Sequence, residues 1–282
     1  METMLDLREL SADDVVRVAY PARLASLVRE AKEKADAFWE LPQEVKEAFG
    51  YQSDTLVSGV GYQGPEDGSK DPKEHVHLRL NESAWLRAQC AKVNDPAVSE
   101  FVETGLALAE GLKPFAQEFV ESAESEFSIP GLAKDTMSLA DGWTFRFLRY
   151  QAGKRAPGED IAAQHLDKGG FTLHLHESDS GFERLTRDGT WVPVAFGDGH
   201  TLIIAGARLQ YRSRCRLTAV CHKVVANERT AVEGRTSIVC FFDFRNTPYY
   251  DKSKWGPMQG LPVGFNYDLP FVKYAQYFTE HV

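Results

Sequence analysis

Cysteine is scarce in this chain: four in 282 residues (Cys90, Cys215, Cys221 and Cys240), with no CxxC spacing. Scattered thiols exclude a zinc ribbon and argue against a disulfide framework. They fit free thiols in a reducing cytoplasm, the expected location. No stretch approaches the roughly 18 apolar residues of a membrane helix. The opening METMLDLRELSADD is acidic and lacks a long apolar run, so it does not read as a secretory leader. Basic charge is also short, with 32 Lys and Arg against 41 Asp and Glu and a net charge of -9. That balance counts against a nucleic-acid partner. Internal repeats and low-complexity linkers are missing as well. What remains is 43% hydrophobic and 26% charged, an ordinary globular composition.

The charge is uneven along the chain. Residues 1–140 carry 14 basic and 26 acidic side chains, and residues 141–282 carry 18 and 15. The mildly cationic second half suits an anionic small molecule.

Two textures divide the sequence. Residues 22–39 place Leu24, Leu27, Val28, Ala31, Ala35 and Phe38 at three- and four-residue spacing, one apolar stripe of a helix. Pro42 is placed to open a second short helix at its first turn. Residues 50–73, rich in Gly, Asp, Pro and Ser, read as loop. Helical spacing returns over 96–127, where Pro114 predicts a kink or a split. After Gly142 the runs WTFRFLRY, FTLHLH, TWVPVAF, TLIIAG, LTAVCHKVV and TSIVCFFDF alternate with turns. Short strands at that spacing predict a sandwich or barrel, and the lack of long crossover helices excludes a doubly wound parallel sheet. A last helix is expected over FVKYAQYFTEHV. The segments are therefore a mostly helical 1–140, a β core over 141–245 and a C-terminal 246–282, read as one domain.

The residues with chemistry lie in the strand-rich half. His165 and Asp167 form an HxD pair, and residues two apart on a strand share a face. An imidazole and a carboxylate can then converge on one ion, with His222 placed to join them from another strand. Two His and one carboxylate leave three positions of an octahedral metal open, the pattern of non-haem Fe(II) oxygenases. On the following strand Arg235 and Ser237 share a face. A guanidinium fork and a hydroxyl match a carboxylate, and Tyr150, from WTFRFLRY, can add a phenol.

HxD alone is a weak signal in a chain with eight His. The ordered set is stronger: HLDKGGFTLHL, GTWVPV, TLIIAGARLQYRS, CHKVV and GRTSIVCFF. This order resembles the iron- and 2-oxoglutarate-dependent dioxygenases related to isopenicillin N synthase. AFWELPQEVKEAF, VGYQ, KDPKEHVHL and FRFLRYQ extend the resemblance over roughly residues 37–245. It implies a double-stranded β-helix, or jelly-roll, core with flanking helices. It makes His165, Asp167 and His222 the iron ligands. Arg235 and Ser237 would hold the far carboxylate of 2-oxoglutarate, with Tyr150 as helper. The expected reaction uses O2 to oxidise, most simply to hydroxylate, a C–H of a small-molecule substrate, with succinate and CO2 as co-products. Two alternatives stand beside it: an Fe(II) oxidase or cyclase of the same fold that dispenses with 2-oxoglutarate, and a non-catalytic binding jelly roll. Leu148 replaces the Asn common in relatives. The long gap from His222 to Arg235 implies an extended hairpin, and the family's opening strand is not evident in the first 20 residues.

Other residues carry blander expectations. His174 and His176 are expected on a pocket wall or in solvent rather than on the metal. His75 and His77 read equally as substrate neighbours or as a surface strand. Cys221 is expected as a buried thiol, and Trp191 and Gln210 as packing and turn residues. Arg212, Arg214 and Arg216 alternate in YRSRCRL and read as a solvated strand edge, with an anion-binding mouth as the lesser alternative. Residues 50–73 and the C-terminal helix are the expected lids.

Overall fold

A computed structural model describes residues 7, 10, 15–54, 57, 59–65, 71–186, 188–197, 199–214 and 216–245. The helical half follows its apolar spacing. Helix α1 (Ala22–Trp39) buries Leu24, Val28, Ala31, Ala35, Phe38 and Trp39. Pro42 stands at the cap of α2 (Gln43–Ala48), one position before the first turn expected for it. Helix α3 (Ser83–Val93) ends at Asn94 in the left-handed conformation. Helix α4 (Pro96–Glu126) starts where the Asp95 carboxylate accepts from Ala97 N at 2.8 Å. It runs about 46 Å at 1.5 Å per residue and is not split at Pro114. The proline removes one helical hydrogen bond. Burial of Leu112, Phe115, Ala116 and Phe119 on either side offsets that loss, each large apolar side chain contributing about 1.5–3 kcal/mol. Helix α5 (Leu132–Met137) follows.

Eleven strands among the described residues form two antiparallel sheets. The larger has the order β1 (Val15–Ala19), β9 (His200–Ala205), β6 (Phe171–Glu177), β11 (Arg235–Phe242), β4 (Thr144–Tyr150), β3 (Lys73–Leu78) and β2 (Gly61–Gln63). The smaller has the order β5 (Asp160–Leu166), β10 (Cys221–Val225), β7 (Phe182–Leu185) and β8 (Trp191–Pro193). Alternation along β4 sorts its side chains between two cores. Phe145 and Phe147 pack with the helices, whereas Leu148 and Tyr150 pack toward the small sheet. Aromatic pairs fix the helical layer: Phe38 on Phe101 at 4.7 Å, Phe101 on Phe147 at 4.9 Å and Phe119 on Phe171 at 4.8 Å between centroids. The result is the expected jelly roll with helices on the outer face of its large sheet.

Several expectations are corrected. The opening strand exists: VVRVA buries Val15, Val16 and Val18 and pairs with β9. The segment YRSRCRL is not a strand. Its start closes helix α6 (Ala207–Arg212), because a two-residue alternation of Arg fits a helix end as readily as an edge. The strand-edge reading of the arginines therefore falls. Arg212 pairs with Asp135 at 2.7 Å, and Arg216 donates to the carbonyls of Phe127 and Ser128 at the end of α4. The long gap after His222 is a crossover between sheets rather than a hairpin. It contains helix α7 (Glu228–Glu233), opened by an Asn227–Thr230 capping box. The loop expected over 50–73 holds β2, the start of β3 and bridges at Gly50–Tyr62 and Gln52–Val60. The helix expected over 271–282, and with it one lid candidate, lies outside the described residues.

Candidate metal and cosubstrate site

Strand pairing in the small sheet builds the first half of the site. His165 on β5 and His222 on β10 are direct partners in register, and Asp167 follows β5 by one residue. One donor atom from each of the three lies within 4.8 Å of the others. The rings are oriented by the backbone. His165 Nδ1 meets Ala163 O at 2.8 Å, and His222 Nδ1 meets Val220 O at 2.9 Å. A carbonyl only accepts, so each Nδ1 carries the proton and each Nε2 keeps its lone pair for a metal. The Thr172 hydroxyl donates to Asp167 Oδ2, leaving Oδ1 to face His165 Nε2 at 3.9 Å.

The protonation states suit a metal. Burial alone would raise the Asp167 carboxyl, but the His222 and His165 imidazoles and the Thr172 hydroxyl outweigh it and hold it below its usual range. Burial pushes His222 down, against the pull of Asp167, so its imidazole is neutral at pH 7. Glycine completes the support. Gly206 N donates to Gly170 O and Ala207 N to Asp167 O, each at 2.7 Å. A Cβ on Gly206 would lie 2.4 Å from Gly169 O. The glycine of the GARLQ run is thus required by close approach to the loop that carries Asp167. Gln210 in the same run accepts from Ala219 N at 2.7 Å, which aims the chain into β10.

The large sheet supplies the opposite wall. Arg235 pairs in register with Tyr150, and Ser237 with both Leu148 and Glu177. All line a cavity of about 350 Å³ together with the three candidate ligands. Arg235 is not bare. Its Nη2 lies 2.7 Å from Glu177 Oε2, with side chains 1% and 2% exposed, and Glu177 Oε1 lies 2.8 Å from His174 Nδ1. Arg235 Nε is buried without a hydrogen-bond partner among the described residues. Burial raises the Tyr150 phenol well above its ordinary value, so it stays protonated and can donate.

Residues 145–244 match the family model of the 2OG-Fe(II) oxygenase superfamily. That segment is a 2OG-Fe(II) oxygenase domain. No curated protein matches it. Solved structures share its fold. A full-length Neurospora crassa protein in complex with alpha-KG and 5-formyluracil is 18% identical, covering 96% of this chain and 88% of its own, with a TM-score of 0.70. The dioxygenase for auxin oxidation from rice is 24% identical, covering 83% and 77%, with a TM-score of 0.65. The dioxygenase for auxin oxidation 1 from Arabidopsis thaliana, in its 2-oxoglutarate complex, is 20% identical, covering 86% and 91%, with a TM-score of 0.62.

The oxygenase therefore works with Fe(II), 2-oxoglutarate and O2. Its residues fit both groups. Two imidazoles with free Nε2 and one ionised carboxylate form a donor set suited to Fe(II), and the unsatisfied guanidinium nitrogen of Arg235 stands ready for a carboxylate. The structure brings all six sequence-predicted residues, His165, Asp167, His222, Arg235, Ser237 and Tyr150, to one cavity. His174 and His176 stay off the metal cluster, although His174 lines this cavity. Cys221 is a buried free thiol, and Trp191 lies under Lys223 at 4.9 Å. Sequence reasoning missed Thr172 and Glu177. For Thr172 the signal was present, since it sits five residues after Asp167 within the motif. No helix of the described residues is long and apolar enough to cross a membrane.

Proposed function

We propose that the single oxygenase domain binds Fe(II) through His165, Asp167 and His222 and hydroxylates an unactivated C–H of a small molecule. In this reading Arg235, Ser237 and Tyr150 receive the far carboxylate of 2-oxoglutarate. The observation that carries it is the convergence, from opposite sheets, of three oriented metal donors and a buried guanidinium on one cavity. When bound, Fe(II) couples decarboxylation of 2-oxoglutarate to reduction of O2, one oxygen atom passing to succinate and the other to product.

The protein's own residues position and protect. Val220 O and Ala163 O fix the two rings, and Thr172 fixes the carboxylate. Leu148, Val224 and Val239 give the cavity an apolar wall, which limits water at the reacting centre. The cavity volume suits a small-molecule substrate. Solved relatives of this fold are named for auxin oxidation or hold 5-formyluracil, both small molecules. The test is stoichiometry: purified protein with Fe(II), 2-oxoglutarate and a substrate library should give one succinate per oxidised product by mass spectrometry. Substrate-dependent O2 uptake without succinate would overturn the reading in favour of an oxidase that dispenses with 2-oxoglutarate.

A further inference from the structure

Two guanidiniums of the large sheet reach the cavity. Arg235 sits opposite Tyr150, and Arg146 lies four residues before Tyr150 on β4, about 13 Å away along the strand. Both line the cavity that holds the metal cluster. Arg235 has Glu177. Arg146 has no carboxylate within ion-pair distance among the described residues, although other arginines of the same sheet do: Arg149 pairs with Glu40 and Arg235 with Glu177.

What surrounds Arg146 holds it without neutralising it. Its Nε donates to His77 Nε2 at 2.7 Å, and its guanidinium lies over the Phe241 ring at 4.8 Å. His77 is directly opposite it on β3, and Val239 on β11. Burial, then the charge of Arg146, pushes His77 down to about 2 and His75 down to about 4, so both rings are neutral. Lys73, the next cation on that face, is already paired with Asp71 at 2.8 Å. Among charged groups Asp167 exerts the largest pull on it, and the proposed iron claims that carboxylate. No hydrogen bond to Nη1 or Nη2 is made among the described residues. A cation taken from water into a cavity costs free energy unless an anion meets it.

We propose that Arg146 is the substrate anchor and that the substrate carries a carboxylate, taken bidentately by Nη1 and Nη2. This rests on the iron and 2-oxoglutarate reading above. Phe241 and His77 hold the guanidinium plane, so the fork is set before the ligand arrives. The planar fork offers two parallel donors, which match the two oxygens of one carboxylate. The neighbouring His77 Nε2 is spent as an acceptor. With 2-oxoglutarate extended toward Arg235, a substrate held at the far end of the same strand would present its carbon skeleton to the metal between them.

The experiment is anaerobic calorimetry on protein loaded with Fe(II) and 2-oxoglutarate. The probes are phenylacetate, indole-3-acetate and benzoate, each against its primary amide. At least one acid should bind about 10- to 100-fold tighter than its amide, the range of a charge-assisted hydrogen-bond pair. Arg146→Gln should abolish that preference, and Arg146→Lys should keep part of it, which separates anchoring from misfolding. Acids and amides binding alike, no acid binding at millimolar concentration, or an undiminished preference in Arg146→Gln would each overturn the proposal. Failure of the iron and 2-oxoglutarate reading would show differently, as no calorimetric uptake of 2-oxoglutarate by the Fe(II)-loaded protein before any probe is added.

Discussion

Replacing Glu177 by Gln separates two roles of Arg235. Arg235 and Glu177 form an ion pair almost wholly out of water. Removing one partner of such a pair leaves a buried charge and costs about 3–5 kcal/mol. At about 2–4 °C per kcal/mol for a large domain, Glu177→Gln should melt on the order of 6–20 °C lower than the parent. Bound 2-oxoglutarate reverses the sign. In the parent its far carboxylate meets a neutral pair and shares the guanidinium with Glu177. In the variant it meets an uncompensated cation, so affinity should rise roughly tenfold or more, a gain of about 1.4 kcal/mol. At saturating 2-oxoglutarate at least about 1.4 kcal/mol of the lost stability, roughly 3–6 °C, should then return. The assay is a melting series against 2-oxoglutarate concentration with metal present. Weaker 2-oxoglutarate binding in Glu177→Gln, or an unchanged melting temperature without ligand, would refute the reasoning.

Two further predictions follow from the site's supports. Gly206→Ala places a Cβ 2.4 Å from Gly169 O and 3.0 Å from Asp167 O. The Asp167 loop must shift, and metal affinity should fall about 10- to 100-fold; a titration showing parental affinity would contradict this. The second concerns pH. His77 is pushed down to about 2 and His75 to about 4 from 6.5, so below pH 6.5 the unfolded chain takes up protons that the folded protein refuses. Stability is full above that pH and falls as pH drops toward the folded values, by up to about 1.4 kcal/mol per pH unit for each ring. His77→Gln keeps an acceptor for Arg146 and should make the slope between pH 6 and 5 shallower by about 1 kcal/mol per unit in urea denaturation. An unchanged slope would show that His77 titrates normally.

The parts of the site readable in the sequence are those fixed by local geometry. His165 and Asp167 converge because their spacing keeps them close, and Arg235 and Ser237 share a face for the same reason. The motif order supplied the distant partner His222, which no local pattern could have chosen among eight His. Glu177 was hidden because its meeting with Arg235 depends on the pairing of β6 with β11, a long-range register that no local pattern reveals. Arg146 was hidden for a different reason. Its face is legible from strand alternation, but the absence of an acidic partner is visible only once every neighbouring strand is in place. In the fold, the alternating arginines of YRSRCRL imitated a strand although helix α6 ends there. The five residues of β1 were too short to stand out until β9 lay beside them.

The central claim is that His165, Asp167 and His222 hold one Fe(II) facing a cosubstrate anchored at Arg235. Anaerobic titration of the protein with Fe(II) and 2-oxoglutarate tests it most directly, by the visible metal-to-ligand charge-transfer band. The account predicts a band that saturates at one Fe(II) per chain, is absent in His222→Ala, and needs at least a hundredfold more 2-oxoglutarate in Arg235→Ala, the order expected for losing one partner of a buried charge pair. A band of parental strength in His222→Ala, or none in the parent protein, would contradict it.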